Sequence, residues 1–291
     1  MNLIDLMSAS SKDLTDIYII AEAGINHNGD IDIAKKLISA AASIGCDAIK
    51  FQKRNIEKVY TQEFLAEPRI SPWGETQRDQ KLGLEFNETQ YNELAQYAKE
   101  LKIDFSASAW DLDSLNFVEA MQPSFHKVAS AFITNEEFLK AVAKFGRPTF
   151  VSTGMCKIES IDRAVNIFKE NNCPFMLMHT VSVYPAKLET LNMRLIPALE
   201  KRYGKPVGYS GHESNVSPTL CAAALGAKAI ERHFTLDRTM YGSDQAASLE
   251  PDGLQRLVAG LRKYPAILGD GEKHFDSDEQ AVAKKLRYWE S

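Results

Sequence analysis

Hydrophobic and polar positions along this chain follow two periods that take turns. A short β-branched run such as Ile17-Tyr18-Ile19-Ile20-Ala21-Glu22-Ala23 has the look of a strand. An amphipathic stretch over 30–44 then puts Ala34, Leu37, Ile38 and Ala41 on one face, with Asp30 as N-cap and Gly45 as terminator. The alternation recurs. Strands are predicted at 17–23, 47–52, 103–108, 124–130, 147–153, 174–181, 206–210 and 227–234. Helices are predicted at 30–44, 88–101, 112–121, 134–145, 157–171, 191–202, 215–225 and 251–267. Eight βα units in 291 residues predict a closed (β/α)8 TIM barrel of the α/β class, with a doubly wound sheet as the alternative. The barrel domain is expected over 1–270, with 271–291 as a polar tail or terminal helix.

Two segments break the rhythm. Residues 53–87 read as a long loop after the second strand, and 235–250 as another after the eighth. Both leave C-terminal strand ends, where barrel enzymes carry their sites.

Composition changes this picture little. Hydrophobic residues make up 44% and charged residues 25%, ordinary for a globular protein, and the net charge of -5 argues against a polyanion binder. Cys46, Cys156, Cys173 and Cys221 show no metal-ligand spacing and are expected to be small buried hydrophobes in a reducing compartment. Residues 1–16 lack the pattern of a signal peptide, and no apolar run reaches the ~20 residues of a membrane span. A cytoplasmic protein is expected.

The chemistry concentrates at the strand ends, where residues i and i+2 share a face. Lys50 pairs with Gln52, Ser106 with Ser108, Ser182 with Tyr184, Ser210 with His212 and Glu231 with His233. Glu22, Lys127, Ser130 and Ser152 end the remaining strands. A core does not need these groups, since burying them unpaired costs several kcal/mol. Lys50 and Lys127 have no acidic neighbour in sequence, and with Ser108, Ser130, Ser152 and Ser210 they form an expected anion cradle. His212 and His233, one βα unit apart, suit a divalent metal, with Glu231 and Asp244 nearby favouring that reading. His179, in an apolar run, is expected in the core, and His27 in a turn at the rim.

Six segments carry a resemblance: IAEAGINHNGD, DAIKFQK, HKVAS, VSTGM, GYSGHE and IERHFTLDRTMYGSDQAASLEP. In order and over about residues 16–270, the chain resembles the sialic acid synthase family. The resemblance implies a barrel that condenses phosphoenolpyruvate with a mannosamine-type aldehyde, or its 6-phosphate, and releases phosphate. It also implies a divalent metal, Mn2+ first and Mg2+ or Co2+ as alternatives, and a homodimer. By position, Lys50, Ser108, Lys127, Ser130, Ser152, Ser182 and Ser210 match phosphoenolpyruvate contacts. His212 and His233 match metal ligands, Glu22 an acidic residue at the reacting centre, and Gln52, Tyr184, Glu231 and Asp244 positions facing the sugar.

Two departures stand out. Phe132 occupies a position that is acidic in many members, so an apolar ring is expected against the acceptor, with packing in the barrel rim as the alternative. Members commonly carry a C-terminal antifreeze-like domain, and this sequence ends at Ser291, near where it would begin. The insertion's Trp73 and Arg78 are expected to close over the acceptor, with Arg78 reaching a phosphate if one is present. The rivals are a Schiff-base keto-acid aldolase using Lys127 and a non-catalytic sugar-phosphate-binding barrel.

Overall fold

The computed structural model describes residues 2–8 and 16–290. Residues 9–15, part of the stretch expected not to be a signal peptide, and Ser291 lie outside the described residues. The chain opens with helix α1 (Leu3–Ser8), strand β1 (Tyr18–Gly24), α2 (Ile31–Ile44) and β2 (Ala48–Lys53). The expected loop after β2 is instead built from α3 (Ile56–Val59), α4 (Gln62–Ala66), a hairpin of β3 (Pro68–Ser71) and β4 (Gly74–Thr76), and α5 (Gln77–Gly83). Regular βα alternation then resumes with α6 (Glu88–Glu100), β5 (Asp104–Ala109), α7 (Leu112–Ala120), β6 (His126–Val128), α8 (Glu136–Lys144), β7 (Thr149–Ser152) and α9 (Ile158–Glu170). It ends with β8 (Phe175–Thr180), α10 (Leu195–Tyr203), β9 (Val207–Gly211), α11 (Ser217–Ala224), β10 (Ala229–His233), α12 (Pro251–Leu268) and α13 (Ser277–Leu286).

Eight parallel strands run in the order β5-β2-β1-β10-β9-β8-β7-β6. The seam between β5 and β6 is bridged by Ser124 N donating to Phe105 O (3.0 Å) and Ser106 Oγ donating to Phe125 O (2.6 Å). The fold is the expected TIM barrel. Ser106 is thereby spent on closing the barrel.

The two-residue period of the strands sorts side chains between two environments. On β1, Ile19, Ala21 and Ala23 join the outer core beneath the helices, while Tyr18 and Ile20 join an inner cluster with Ala48, Phe125, Phe150, Met176, Met178 and Ala229. One step further along each inward row the residue becomes polar: Glu22, Lys50, Ser152, Thr180, Glu231. The barrel interior is therefore apolar at the N-terminal end of the strands and ionisable at the C-terminal end. Helix α1 seats Leu3, Leu6 and Met7 on the apolar end and seals it. Each fully buried apolar side chain there contributes about 1.5–3 kcal/mol.

Helix α2 starts as expected, with Asp30 accepting from Asp32 N and Ile33 N, and stops at Gly45 with φ +93°. The insertion docks on the β1–α2 turn at a point only glycine permits. Gly29 has φ +68°, and a Cβ there would stand 2.0 Å from Gly83 O. Among the described residues no helix is long and apolar enough to cross a membrane. Cys221 is exposed rather than buried, because it lies on the outer side of α11, while Cys46 and Cys173 are buried and all four thiols are free.

Candidate active site

Thirteen of the fourteen site residues expected from the sequence line one cavity at the C-terminal mouth of the barrel: Glu22, Lys50, Gln52, Ser108, Lys127, Ser130, Ser152, Ser182, Tyr184, Ser210, His212, Glu231 and His233. Trp110, Ala129 and Thr180 line it too and escaped the sequence reading. Trp110 follows β5 and continues the inward row of Ser106 and Ser108, a signal that could have found it. Asp244 stands at the edge, its Oδ2 3.9 Å from His233 Nδ1. Glu22 Oε1, Gln52 Nε2 and Asp244 Oδ2 all lie within 3.5 Å of where a Cβ on Gly24 would be.

The two lysines are not the free cations their sequence neighbours suggested. Lys50 Nζ donates to Ser108 Oγ (2.8 Å) and forms an ion pair with Glu22, its register partner on the adjacent strand. Lys127 Nζ donates to Ser152 Oγ (2.8 Å) and lies 3.2 Å from Glu231 Oε1. Ser210 Oγ donates to the same Glu231 oxygen at 3.2 Å, so Glu231 sits among the cradle residues. Burial raises the Glu231 carboxyl, but Lys127 and Lys50 outweigh it and hold it down to about 2. Burial draws the Lys127 ammonium below its usual range and Lys50 adds to this, against the pull of Glu231. The cavity encloses only about 70 Å3. That is room for only a few water molecules.

The histidines form a second cluster. The rings of His212 and His233 lie 5.5 Å apart, with Tyr184 packed 4.1 Å from the first and 5.7 Å from the second. His212 Nδ1 donates to Val181 O at 2.7 Å, which leaves Nε2 with a free lone pair. Burial, then His233, push the His212 imidazole down to about 3, so it is neutral. His233 Nδ1 is buried without a hydrogen-bond partner. Among the described residues no group of three or more His, Cys, Asp or Glu is placed to hold a metal.

The loop carrying His212 is stapled from behind, through two residues the sequence reading passed over. Glu213 accepts from Tyr209 Oη (2.8 Å), Thr219 Oγ1 (2.8 Å) and Arg232 Nη1 (2.9 Å), and both members of the ion pair are buried. Arg232 faces away from the cavity on β10, between Glu231 and His233.

Other expectations need adjusting. Phe132 does not line the cavity. Its ring packs 4.5 Å from Phe138 and 5.8 Å from Trp110, because apolar neighbours surround it at the rim. Arg78 is held by Glu57 and Gln62 on the insertion itself. His179 is buried as expected, with Nε2 2.6 Å from Leu191 O. His27 is buried rather than at the open rim, and stacks on Phe86 at 4.2 Å.

Comparison with known proteins identifies the family. The chain is 40% identical over 272 residues to N-acetylneuraminate-9-phosphate synthase of Mus musculus, covering 92% of this chain and 76% of that one. It is 36% identical to N,N'-diacetyllegionaminic acid synthase of Campylobacter jejuni, covering 90% and 80%. Among solved structures, the N-acetylneuraminic acid (sialic acid) synthetase of Leptospira borgpetersenii superposes with a TM-score of 0.82 at 33% identity, covering 94% of this chain and 93% of that one. Residues 37–273 match the NeuB family model, and with this barrel and these relatives the chain belongs to the NeuB family.

Proposed function

We propose that this chain condenses phosphoenolpyruvate with a mannosamine-type sugar aldehyde, or its 6-phosphate, giving a sialic-acid-like nonulosonic acid and phosphate. The observation that carries this is the buried ring of Lys50, Lys127, Ser108, Ser130, Ser152 and Ser210 beside His212 and His233 in one mouth. Such a ring supplies charge-assisted hydrogen bonds to a phosphate and a carboxylate at once.

Phosphoenolpyruvate C3 attacks the aldehyde carbon and C2 becomes cationic. Glu22 and Glu231, buried in the same mouth, stabilise that charge. Water adds at C2, and the tetrahedral intermediate releases phosphate. Glu22 moves the proton of that water. Gln52, Tyr184 and Asp244 orient the sugar hydroxyls. His212 Nε2 and the orphaned His233 Nδ1 fit a divalent cation, with water and substrate completing the shell. When bound, Mn2+, Mg2+ or Co2+ would supply Lewis-acid polarisation of the sugar carbonyl.

The free thiols support a reducing, cytoplasmic setting, and the family resemblance supports a homodimer, which light scattering would test. Phosphate release from phosphoenolpyruvate with hexosamine acceptors and Mn2+, together with mass detection of the condensed acid, tests the activity. Borohydride trapping of pyruvate on Lys127 would instead favour an aldolase.

A further inference from the structure

The β3–β4 hairpin of the insertion turns at Trp73, a half-buried residue that does not line the cavity. Ser71 holds the turn, its Oγ donating to Gly74 O (3.0 Å) and accepting from Trp73 N (3.3 Å). Three segments far apart in sequence then meet around the indole. At the end of α5 it lies against Gly83, where a Cβ would stand 2.1 Å from its Cγ. Gly29, in the β1–α2 turn, closes on the same point. A Cβ there would stand 2.0 Å from Gly83 O and 3.8 Å from Trp73 Nε1. On the third side Tyr241 makes a T-shaped contact, with ring centres 5.8 Å apart at 69°. Aromatic pairs in this arrangement contribute beyond the area they bury.

Tyr241 belongs to the 235–250 loop, which also carries Asp244. Gln245 is buried and ties the loop to the barrel, its Nε2 donating to Tyr241 O and to Asn26 O, both at 3.3 Å. Gly242 is pressed on the same side chain. Its φ is +146°, which L side chains rarely adopt, and a Cβ there would stand 3.0 Å from Gln245 Cγ. Ser248 Oγ donates to Asp244 O at 2.7 Å, and Asp244 Oδ2 lies 3.9 Å from His233 Nδ1. A row of contacts therefore runs from the hairpin tip to the mouth through Trp73, Tyr241, Gln245 and Asp244. The two Gln245 bonds are long for N–H···O. The packing of Tyr241 on Trp73 therefore carries much of the hold on this part of the loop.

We propose that Trp73 is a positioning residue for the sugar acceptor. By packing on Tyr241 it fixes the 235–250 loop and so the place of Asp244, and the insertion and that loop act as one unit. The proposal rests on the synthase reading above, in which Asp244 orients the sugar.

The test removes the contact from either side. Trp73→Leu and Tyr241→Leu should each raise KM for the hexosamine acceptor by about 3- to 10-fold, with KM for phosphoenolpyruvate changed by less than about two-fold. Trp73→Phe should keep most of the wild-type value. In an Asp244→Asn background neither leucine variant should raise the acceptor KM further. An equal rise for phosphoenolpyruvate, or an undiminished effect in the Asp244→Asn background, would overturn the proposal. Hydrogen–deuterium exchange reads the same coupling without turnover. Both leucine variants should speed exchange of amides in 235–250 and leave β1 unchanged. Exchange in that loop as slow as in wild type would refute the coupling. Failure of the wild type to condense any hexosamine would count against the synthase reading, while the exchange data still decide whether Trp73 holds the loop.

Discussion

Lys127 and Glu231 meet across the mouth of the barrel, Nζ to Oε1 at 3.2 Å, from strands that have three others between them. With Lys50 and Glu22 they make two buried ion pairs, so these four groups carry no net charge before substrate enters. On the proposed assignment, phosphoenolpyruvate takes the lysines from their carboxylates and frees Glu22 and Glu231 to face the carbon that becomes cationic.

Removing one member separates binding from stability. Lys127→Met should raise KM for phosphoenolpyruvate by about 10-fold or more. It also strands a buried carboxylate, which costs about 3–5 kcal/mol. Lys127→Met/Glu231→Leu should recover most of the lost Tm while remaining inactive. Thermal melts alongside kinetics check this, and a single variant as stable as wild type would contradict the pairing.

A two-histidine site predicts a metal that chelators remove. EDTA should abolish turnover and Mn2+ restore it. Electron paramagnetic resonance should show Mn2+ bound to wild type, and its loss in His212→Ala and His233→Ala with the circular dichroism spectrum intact. Full activity after exhaustive chelation would end the metal assignment.

Arg232→Met should act at a distance. It leaves Glu213 buried without its cation, at about 3–5 kcal/mol, and frees the loop that holds His212. The expected result is a lower Tm and weaker Mn2+ binding, although Arg232 faces away from the cavity. Unchanged Mn2+ affinity would limit the staple to a stability role.

His27 predicts an acid limit. Burial first, then Arg54, push its imidazole down to about 3, against an ordinary value of 6.5. The unfolded chain therefore binds the extra proton between those values, and stability falls as pH drops below about 6.5. For one group the slope approaches about 1.4 kcal/mol per pH unit. His212 adds to the slope in the same window. Denaturant midpoints at pH 7.5 and 5.5 should differ less in His27→Gln than in wild type; equal differences would refute the linkage.

The barrel was legible because its strands are long enough to show a two-residue period and its helices a wider one. The candidate mouth was legible because barrel topology alone brings every inward strand end to one place. The insertion was not, since its helices and strands span 3–7 residues, too few for a period to emerge. The lysine partners were hidden because Glu22 and Lys50 lie 28 positions apart, and Lys127 and Glu231 are 104 apart. Phe132 could be read either way because a sequence position at a strand end does not say which way the following 3-10 turn directs its ring.

Helix α1 covers the far end of the barrel, so among the described residues the cavity opens at the C-terminal mouth alone. Two reactants that share one doorway must queue. With phosphoenolpyruvate held by Lys50 and Lys127, as proposed, it is the deeper reactant and has to arrive first. Acceptor that arrives early blocks it, forming a dead-end complex. Steady-state kinetics should therefore be ordered, with inhibition by excess sugar that more phosphoenolpyruvate relieves.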